Sequence, residues 1–466
     1  MGAHEFTSVL RYHQRSSLGR GMLRGVSLDW CNKPKCPKRY PGLPRLHLRP
    51  NAKLPGAPLA ILFPLSNRPQ VTLAELSTLL LLANSVTAQY RGMGETLRLL
   101  SCPSAGALYP CELYVQADGI SGLESGLYHY DPFAYDLCLL RRSEAEAPRL
   151  SFFITAILHR AAWKYDLRAY RYCLLDAGHL LESILLASMN LGIELQPCHD
   201  FPDQETNRQL CLDPNREVCL AAAMGNPVCQ LPAGLLQIDE SALIAASRCA
   251  QDDLPSPELM EVHATTSRSF AGPMGFKSIG RGSSKPTDSF GDLGAYAKAV
   301  RQRRSQRKFM LEDLTRQQFD RLLSLVADLQ TSEVVRLGIM LERVQGFLPG
   351  LYGLEADGRL KLLLGRSLAK DLASASLGQG WMAQAAMVVL AWANLSALEQ
   401  EFGPRAYRVV HLLSGQFGQR VYLAASAMNL GCCGVGAFFD DEANQVLGLT
   451  PDEHLLYLLA FGPVRK

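Results

Sequence analysis

Judged by its uninterrupted apolar runs, this 466-residue sequence predicts no membrane-spanning helix. The longest, Ala383 to Leu395, falls well short of the ~20 residues a span needs. An excess of one charge is missing too. Lys and Arg number 47 against 44 Asp and Glu, a net +3, so bulk electrostatics gives no reason to expect nucleic acid or a membrane surface as partner. The opening MGAHEFTSVLRYHQRSS has no apolar core, which predicts no secretory signal and a cytoplasmic protein. The 13 cysteines are odd in number and lack scaffold spacing, as expected of reduced thiols. Cys31 and Cys36 form a C-x4-C pair with only His13 and His47 to complete a metal site, so no metal is expected.

Familiar catalytic signatures are equally scarce. There is no G-x-S-x-G elbow and no H-E-x-x-H, and the ten histidines are dispersed. The stretch Gly275 to Lys285 lacks the Gly-Lys-Ser/Thr ending of a phosphate loop. Gly431-x-x-Gly434-x-Gly436 follows a helical pattern rather than a strand, which makes it a poor dinucleotide fingerprint.

What the chain does have is an internal repeat. Residues 201–225 and 438–462 align without a gap, 237 positions apart, with Phe201/Phe438, Asp203/Asp440, Asn207/Asn444, Pro214/Pro451 and Gly225/Gly462 identical. Arg168-Ala-Tyr-Arg171 recurs at the same offset as Arg405-Ala-Tyr-Arg408, and Gly126-Leu-Tyr recurs as Gly350-Leu-Tyr. Three matches in one order indicate a tandem duplication of a unit of ordinary domain size. With 48% hydrophobic and 20% charged residues, each copy has ample core.

The expected organisation is an N-terminal extension over residues 1–55, a first unit over 56–235, a linker over 236–292 and a second unit over 293–466. The extension, rich in Arg, Lys, Pro and Gly, is expected to wrap over the first unit. Thr72 with Glu75 reads as a capping box ahead of Leu76, Leu79, Leu80 and Ala83, and Thr315 opens the matching helix of the second unit. Helices are also expected at Leu174 to Met189 and Val421 to Met428, with strands at 112–115, 126–130 and 218–223. Helical patterns outnumber strands. The fold class is α+β, a modest sheet with helices packed on it.

The two units differ in what they carry. Arg303-Arg304-Ser305-Gln306-Arg307-Lys308 can fork around a phosphate with charge-assisted bonds, or can be a solvated basic turn. The tail Gly462-Pro-Val-Arg465-Lys466 adds a second basic cluster. The equivalent places in the first unit, Ala60 to Pro64 and Asn226-Pro-Val228, are uncharged. The reverse holds for Pro103-Ser-Ala-Gly-Ala-Leu-Tyr-Pro110, a small-residue loop that lets backbone amides and a hydroxyl approach a flat ligand; the second unit has no such sequence.

R-R-S-x-R-x-F at 303–309, P-S-A-G-A-L-Y-P at 103–110 and G-x-x-G-x-G-A-F-x-D at 431–440 together resemble the FMN-dependent nitroreductase superfamily. G-L-Y-H-Y-D-P at 126–132, K-Y-D-L-R-A-Y-R-Y at 164–172, R-Y-H at 11–13 and L-D-W at 28–30 are similar to its SagB/ThcOx-type dehydrogenase branch. The resemblance implies a nitroreductase-like fold in two tandem copies forming an intramolecular pseudo-dimer. It places Arg303, Ser305, Arg307 and Arg465 on the FMN phosphate, with Lys466 as helper. Pro103, Ser104, Ala105 and Gly106 would lie along the flavin ring, and a turn at Gly434, Val435 and Gly436 near its N5 side. Lys164 and Tyr165 match a Lys-Tyr pair that assists proton removal in azoline-oxidising relatives; the bland alternative is a solvated helix lysine beside a packing tyrosine.

The resulting expectation is an FMN oxidoreductase working by two-electron hydride transfer on a small-molecule or peptide substrate. It would either reduce a nitro or quinone acceptor with NAD(P)H or dehydrogenate an azoline. The alternative is a flavin-binding scaffold subunit without turnover. A monomer of two fused units, or a weak homodimer, is expected.

Overall fold

The computed structural model describes residues 8–22, 28–49, 71–92, 95–144, 147–225, 236, 239–269, 293–326, 334–355 and 358–465. The N-terminal half contains α1 (Val9–Arg15), β1 (Arg45–His47), α2 (Leu73–Ala83), β2 (Val86–Gly92), β3 (Glu95–Leu100), β4 (Cys111–Asp118), β5 (Gly126–Asp131), β6 (Asp136–Arg142), β7 (Arg149–Ile157), α3 (Leu158–Tyr165), α4 (Ala169–Asn190), β8 (Gln196–Cys198), α5 (Asp203–Gln209) and β9 (Glu217–Met224). After α6 (Glu240–Ala245) and α7 (Pro257–Thr265), the second repeat follows with α8 (Leu293–Gln302), α9 (Arg316–Val326), β10 (Arg336–Leu341), β11 (Gly350–Leu354), β12 (Leu360–Leu364), α10 (Ala369–Ala375), β13 (Met387–Asn394), α11 (Leu395–Phe402), α12 (Ala406–Ala427), β14 (Gly431–Val435), α13 (Asp440–Leu447) and β15 (Glu453–Gly462).

Two compact units result, one from the described residues 28–269 with 293–297, the other from 8–22 with 298–465. The first holds an antiparallel sheet in the order β1-β6-β5-β4-β7-β9-β8, the second one in the order β12-β11-β10-β13-β15-β14. Matching strands occupy matching places, and in each unit a 22-residue helix, α4 or α12, packs on the sheet. The fold class is α+β in two tandem copies, as expected.

Thr72 caps α2 through the reciprocal bonds of a capping box: Glu75 N donates to Thr72 Oγ1 at 3.2 Å and Thr72 N to Glu75 Oε2 at 2.9 Å. Thr315 does the same ahead of α9 with Gln318 as its partner. Leu76, Leu79, Leu80 and Ala83 are buried, as are Phe319 and Leu322.

Three expectations need correction. The sheets, of seven and six strands, are larger than the modest sheet expected. Glu217–Met224, the strand expected at 218–223, and its repeat Glu453–Gly462 are buried on almost every residue and lie in the interior of their sheets. Helix α12 begins at Ala406, fifteen residues before the predicted start. Its first turns bury His411, Gln416, Gln419 and Arg420, polar residues that broke the apolar pattern.

The arm does not wrap the first unit alone. Residues 8–22 belong to the second unit, where Ser8 Oγ donates to Glu399 at 2.7 Å, Leu18 N to Asp440 at 2.8 Å and Arg20 Nε to Glu442 at 2.8 Å. Those acids lie on α11 and α13, and nothing in the arm's own sequence names them as partners. Only the later part joins the first unit, with β1 extending its sheet beside β6. The stretch between the repeats also carries structure: Leu243, Leu259 and Val262 of α6 and α7 are buried.

Candidate functional site

The basic segment of the second unit runs extended along β14. Ser305 bridges to Cys432, Gln306 N donates to Cys432 O at 2.9 Å, and Phe309 bridges to Val464. Alternate residues of an extended chain share a face, so Ser305 and Arg307 project together, while Arg303 closes α8 through Arg303 N to Ala299 O at 3.0 Å. Arg465 N donates to Lys308 O at 3.0 Å, which places the tail's arginine beside the same segment. The basic cluster is therefore not a solvated turn; it is a strand-like edge with the C-terminal cluster alongside. Lys466 lies outside the described residues.

Beneath this edge stands Tyr422 of α12. Its Oη is 2.9 Å from Ser305 Oγ and accepts from Gly434 N at 2.6 Å, and its ring lies under the Arg303 guanidinium at 5.3 Å. Arg303 is 4% exposed, whereas Ser305, Arg307 and Arg465 are exposed. Arg307 sits 5.8 Å from the Trp381 ring. Burial pushes the Cys433 thiol up, against the opposing pull of Arg307.

Gly434 and Val435 lie within β14 instead of on the predicted turn. Val435 faces the core, so only its backbone is available to a ligand, and any Cβ at Gly434 would collide with the Tyr457 hydroxyl. Gly436 follows immediately after the strand.

The small-residue loop of the first unit is built on left-handed backbone. Gly106, Ala107 and Tyr109 have φ of 63°, 54° and 45°. Such conformations strain L-residues and persist only when the surroundings hold them. The surroundings here are specific. Ser104 Oγ donates to Asp176 Oδ2 at 2.6 Å, Ala105 N to Asp176 Oδ1 at 3.3 Å and Tyr109 N to Ser104 Oγ at 3.0 Å. Arg160 Nη1 donates to Tyr109 O at 3.1 Å while pairing with Glu112 at 2.6 Å. Asp176 sits in α4, and burial pushes its carboxyl up to about 7 in spite of the bonds from Ser104 and Ala105.

Lys164 and Tyr165, at the end of α3, reach this loop. A Cβ added to Gly106 would lie 2.6 Å from Tyr165 Oη and 3.3 Å from Lys164 Nζ, and Lys164 Nζ lies over the Tyr165 ring at 5.4 Å. The pair is thus brought to Gly106 from 58 residues away, with the Lys164 side chain exposed.

The nitroreductase family model matches residues 64–226 and 340–463, one segment in each repeat. The chain belongs to the nitroreductase family. A solved nitroreductase structure from Anabaena variabilis is similar over 98% of this chain and 99% of its own, with a TM-score of 0.77 and 26% identity. A Methanocaldococcus jannaschii protein named as a nitroreductase is 35% identical over 100 residues, 22% of this chain. The trifolitoxin-processing protein TfxB of Rhizobium leguminosarum bv. trifolii is 30% identical over 159 residues, 30% of this chain. The chain spans 50% and 42% of the length of these two curated relatives.

The donor set fits the cofactor that the family resemblance implies. Three guanidinium groups, which only donate, and a hydroxyl, which can donate, lie along one edge, the chemistry of a phosphate dianion site. The first unit presents a loop of small, partly exposed residues, which a flat ring can approach closely. Sequence reasoning missed Asp176 and Tyr422, which hold the two surfaces in place. The one available signal was their position in the paired helices, where the other copy has leucine each time.

Proposed function

We propose that this chain is an FMN-dependent oxidoreductase of the SagB/ThcOx type, binding one flavin per chain. The carrying observation is the division of labour: phosphate donors gathered on the second unit, and a small-residue loop with Lys164 and Tyr165 against it on the first. Arg303, Ser305, Arg307 and Arg465, with Lys466, would hold the phosphate. Pro103, Ser104, Ala105 and Gly106 would lie along the ring, and the backbone of Gly434, Val435 and Gly436 beside it. When bound, FMN takes up or gives out two electrons as a hydride.

The placement of Lys164 favours dehydrogenation. A substrate that loses a hydride also loses a proton, and Lys164 Nζ or Tyr165 Oη is the group within reach of the loop to take it. The TfxB relative is named for processing a toxin, which supports a biosynthetic substrate, and a peptide azoline ring is the class we favour. The second reading, NAD(P)H-driven reduction of a nitro or quinone acceptor, draws support from the family match over both repeats. The described cysteines are all free thiols, which supports a cytoplasmic setting. We further propose a monomer of two fused units, or a weak homodimer.

The test begins with an absorbance scan of the purified chain, which should be yellow with bound flavin. Incubation with an azoline peptide should then give a product lighter by two hydrogens, with Lys164 required. NADPH oxidation coupled to a nitroarene, with no azoline turnover, would establish the second reading instead. A colourless protein that binds no added FMN would overturn both.

A further inference from the structure

Asp176 and Tyr422 occupy different positions of equivalent helices, and each is unique to its own copy. Helices α4 and α12 are both 22 residues long and align through Arg168-Ala-Tyr-Arg171 and Arg405-Ala-Tyr-Arg408. In that register Asp176 faces Leu413 in the alignment, and Tyr422 faces Leu185. Both leucines are buried, at 6% and 0% exposure. A leucine is thus an acceptable core residue at either place, and packing alone does not call for a carboxyl or a phenol.

Each polar group tethers the surface found only in its own copy. Asp176 takes hydrogen bonds from Ser104 and Ala105, fixing a loop whose Gly106 and Ala107 lie in left-handed backbone. Tyr422 accepts from Gly434 N and shares a 2.9 Å hydrogen bond with Ser305 Oγ, in which either hydroxyl can donate. When Tyr422 is the donor, Ser305 keeps its own hydrogen to give away, which is the role a phosphate-holding serine needs.

Resting on the flavin reading above, we propose that Asp176 and Tyr422 are positioning residues for FMN. Asp176 sets the ring-side loop from α4, and Tyr422 sets the phosphate edge and the β14 backbone from α12. The unequal roles of the two copies are therefore written into their central helices as two reciprocal exchanges with leucine, and not only into the loops that touch the ligand. Burial raises the Asp176 carboxyl against the bonds from Ser104 and Ala105, so the tether is kept at a cost to stability near pH 7.

The experiment titrates FMN into apoprotein of the full chain, reading flavin fluorescence quenching for affinity and the visible band of the saturated complex for the ring's surroundings. Tyr422→Phe removes only the hydroxyl and should weaken binding about 5- to 20-fold with the bound spectrum unchanged. Asp176→Leu, the other copy's own residue, should alter the bound spectrum, and Asp176→Asn, which still accepts from Ser104, should restore it. Ser104→Ala cuts the same tether from the loop's side and should reproduce the Asp176→Leu spectrum, which keeps the assignment testable if Asp176→Leu does not fold. Wild-type affinity in Tyr422→Phe, or a wild-type spectrum in both Asp176→Leu and Ser104→Ala, would overturn the positioning roles alone. Failure of the wild-type chain to take up FMN would instead overturn the flavin reading and these roles with it.

Discussion

Lys38 Nζ lies 2.6 Å from Glu217 Oε2, and both side chains are 0% exposed. The ammonium also donates to Tyr114 Oη at 2.8 Å and to Ser247 Oγ at 3.0 Å, while Thr155 Oγ1 donates to the other Glu217 oxygen at 2.6 Å. The extension is pinned to the first unit by a charge pair with its hydrogen-bonding capacity met, the condition under which a buried pair is tolerated. Lys38→Met leaves Glu217 buried without its counter-charge and should cost about 3–5 kcal/mol. Urea unfolding followed by circular dichroism measures it, and the double variant Lys38→Met/Glu217→Gln should lose less than Lys38→Met alone.

Acid should weaken this unit through the same groups. Burial alone would raise Glu112, but the Arg160 charge and the His129 bond hold it at about 2. Burial likewise opposes ionisation of Glu217, and Lys38 wins, keeping it below the usual range. Folded values below the unfolded value of about 4.3 mean stability that is full above that pH and lost as pH falls through the folded values. The urea midpoint should therefore drop between about pH 5 and pH 2. A Glu112→Gln/Glu217→Gln variant, less stable at neutral pH, should show a flatter dependence over that window.

Removing one guanidinium from the phosphate edge should cost affinity and little else. Arg303→Ala and Arg307→Ala each delete charge-assisted bonds worth about 1.5–3 kcal/mol, so FMN binding should weaken from about tenfold to more than a hundredfold. The bound flavin spectrum should stay native. Equilibrium titration with FMN checks both statements, and unchanged affinity in Arg303→Ala would remove it from the cradle.

Lys164→Ala should do the converse. The side chain is exposed and lies at the ring-side loop, so FMN should remain bound while azoline dehydrogenation slows by roughly 10²- to 10⁴-fold, the usual worth of a positioned base. Single-turnover flavin bleaching with substrate is the measurement. Release of FMN by this variant would make Lys164 a binding residue.

Stoichiometry tests the division of labour directly. Flavin released by denaturation and quantified against protein should approach one per chain; two per chain would show that each copy keeps a complete site.

The duplication, the family resemblance, the capping box of α2 and the start of α9 at Thr315 were legible in the sequence because each is a local pattern. A capping box spans four residues, and a repeat needs only the two stretches laid side by side. The Arg303, Ser305 and Arg307 alternation was readable for the same reason. Its reading as an edge and not a turn had to come from the bridges to Cys432 and Val464, more than a hundred residues on. Tertiary structure alone revealed Asp176 under Ser104, Tyr422 under Ser305, and Glu399, Asp440 and Glu442 as seats for the arm. A buried hydrogen bond is decided by which two groups lose their water together, and that depends on distance in space. Asp176 and Ser104 stand 72 residues apart in the chain and 2.6 Å apart in the fold.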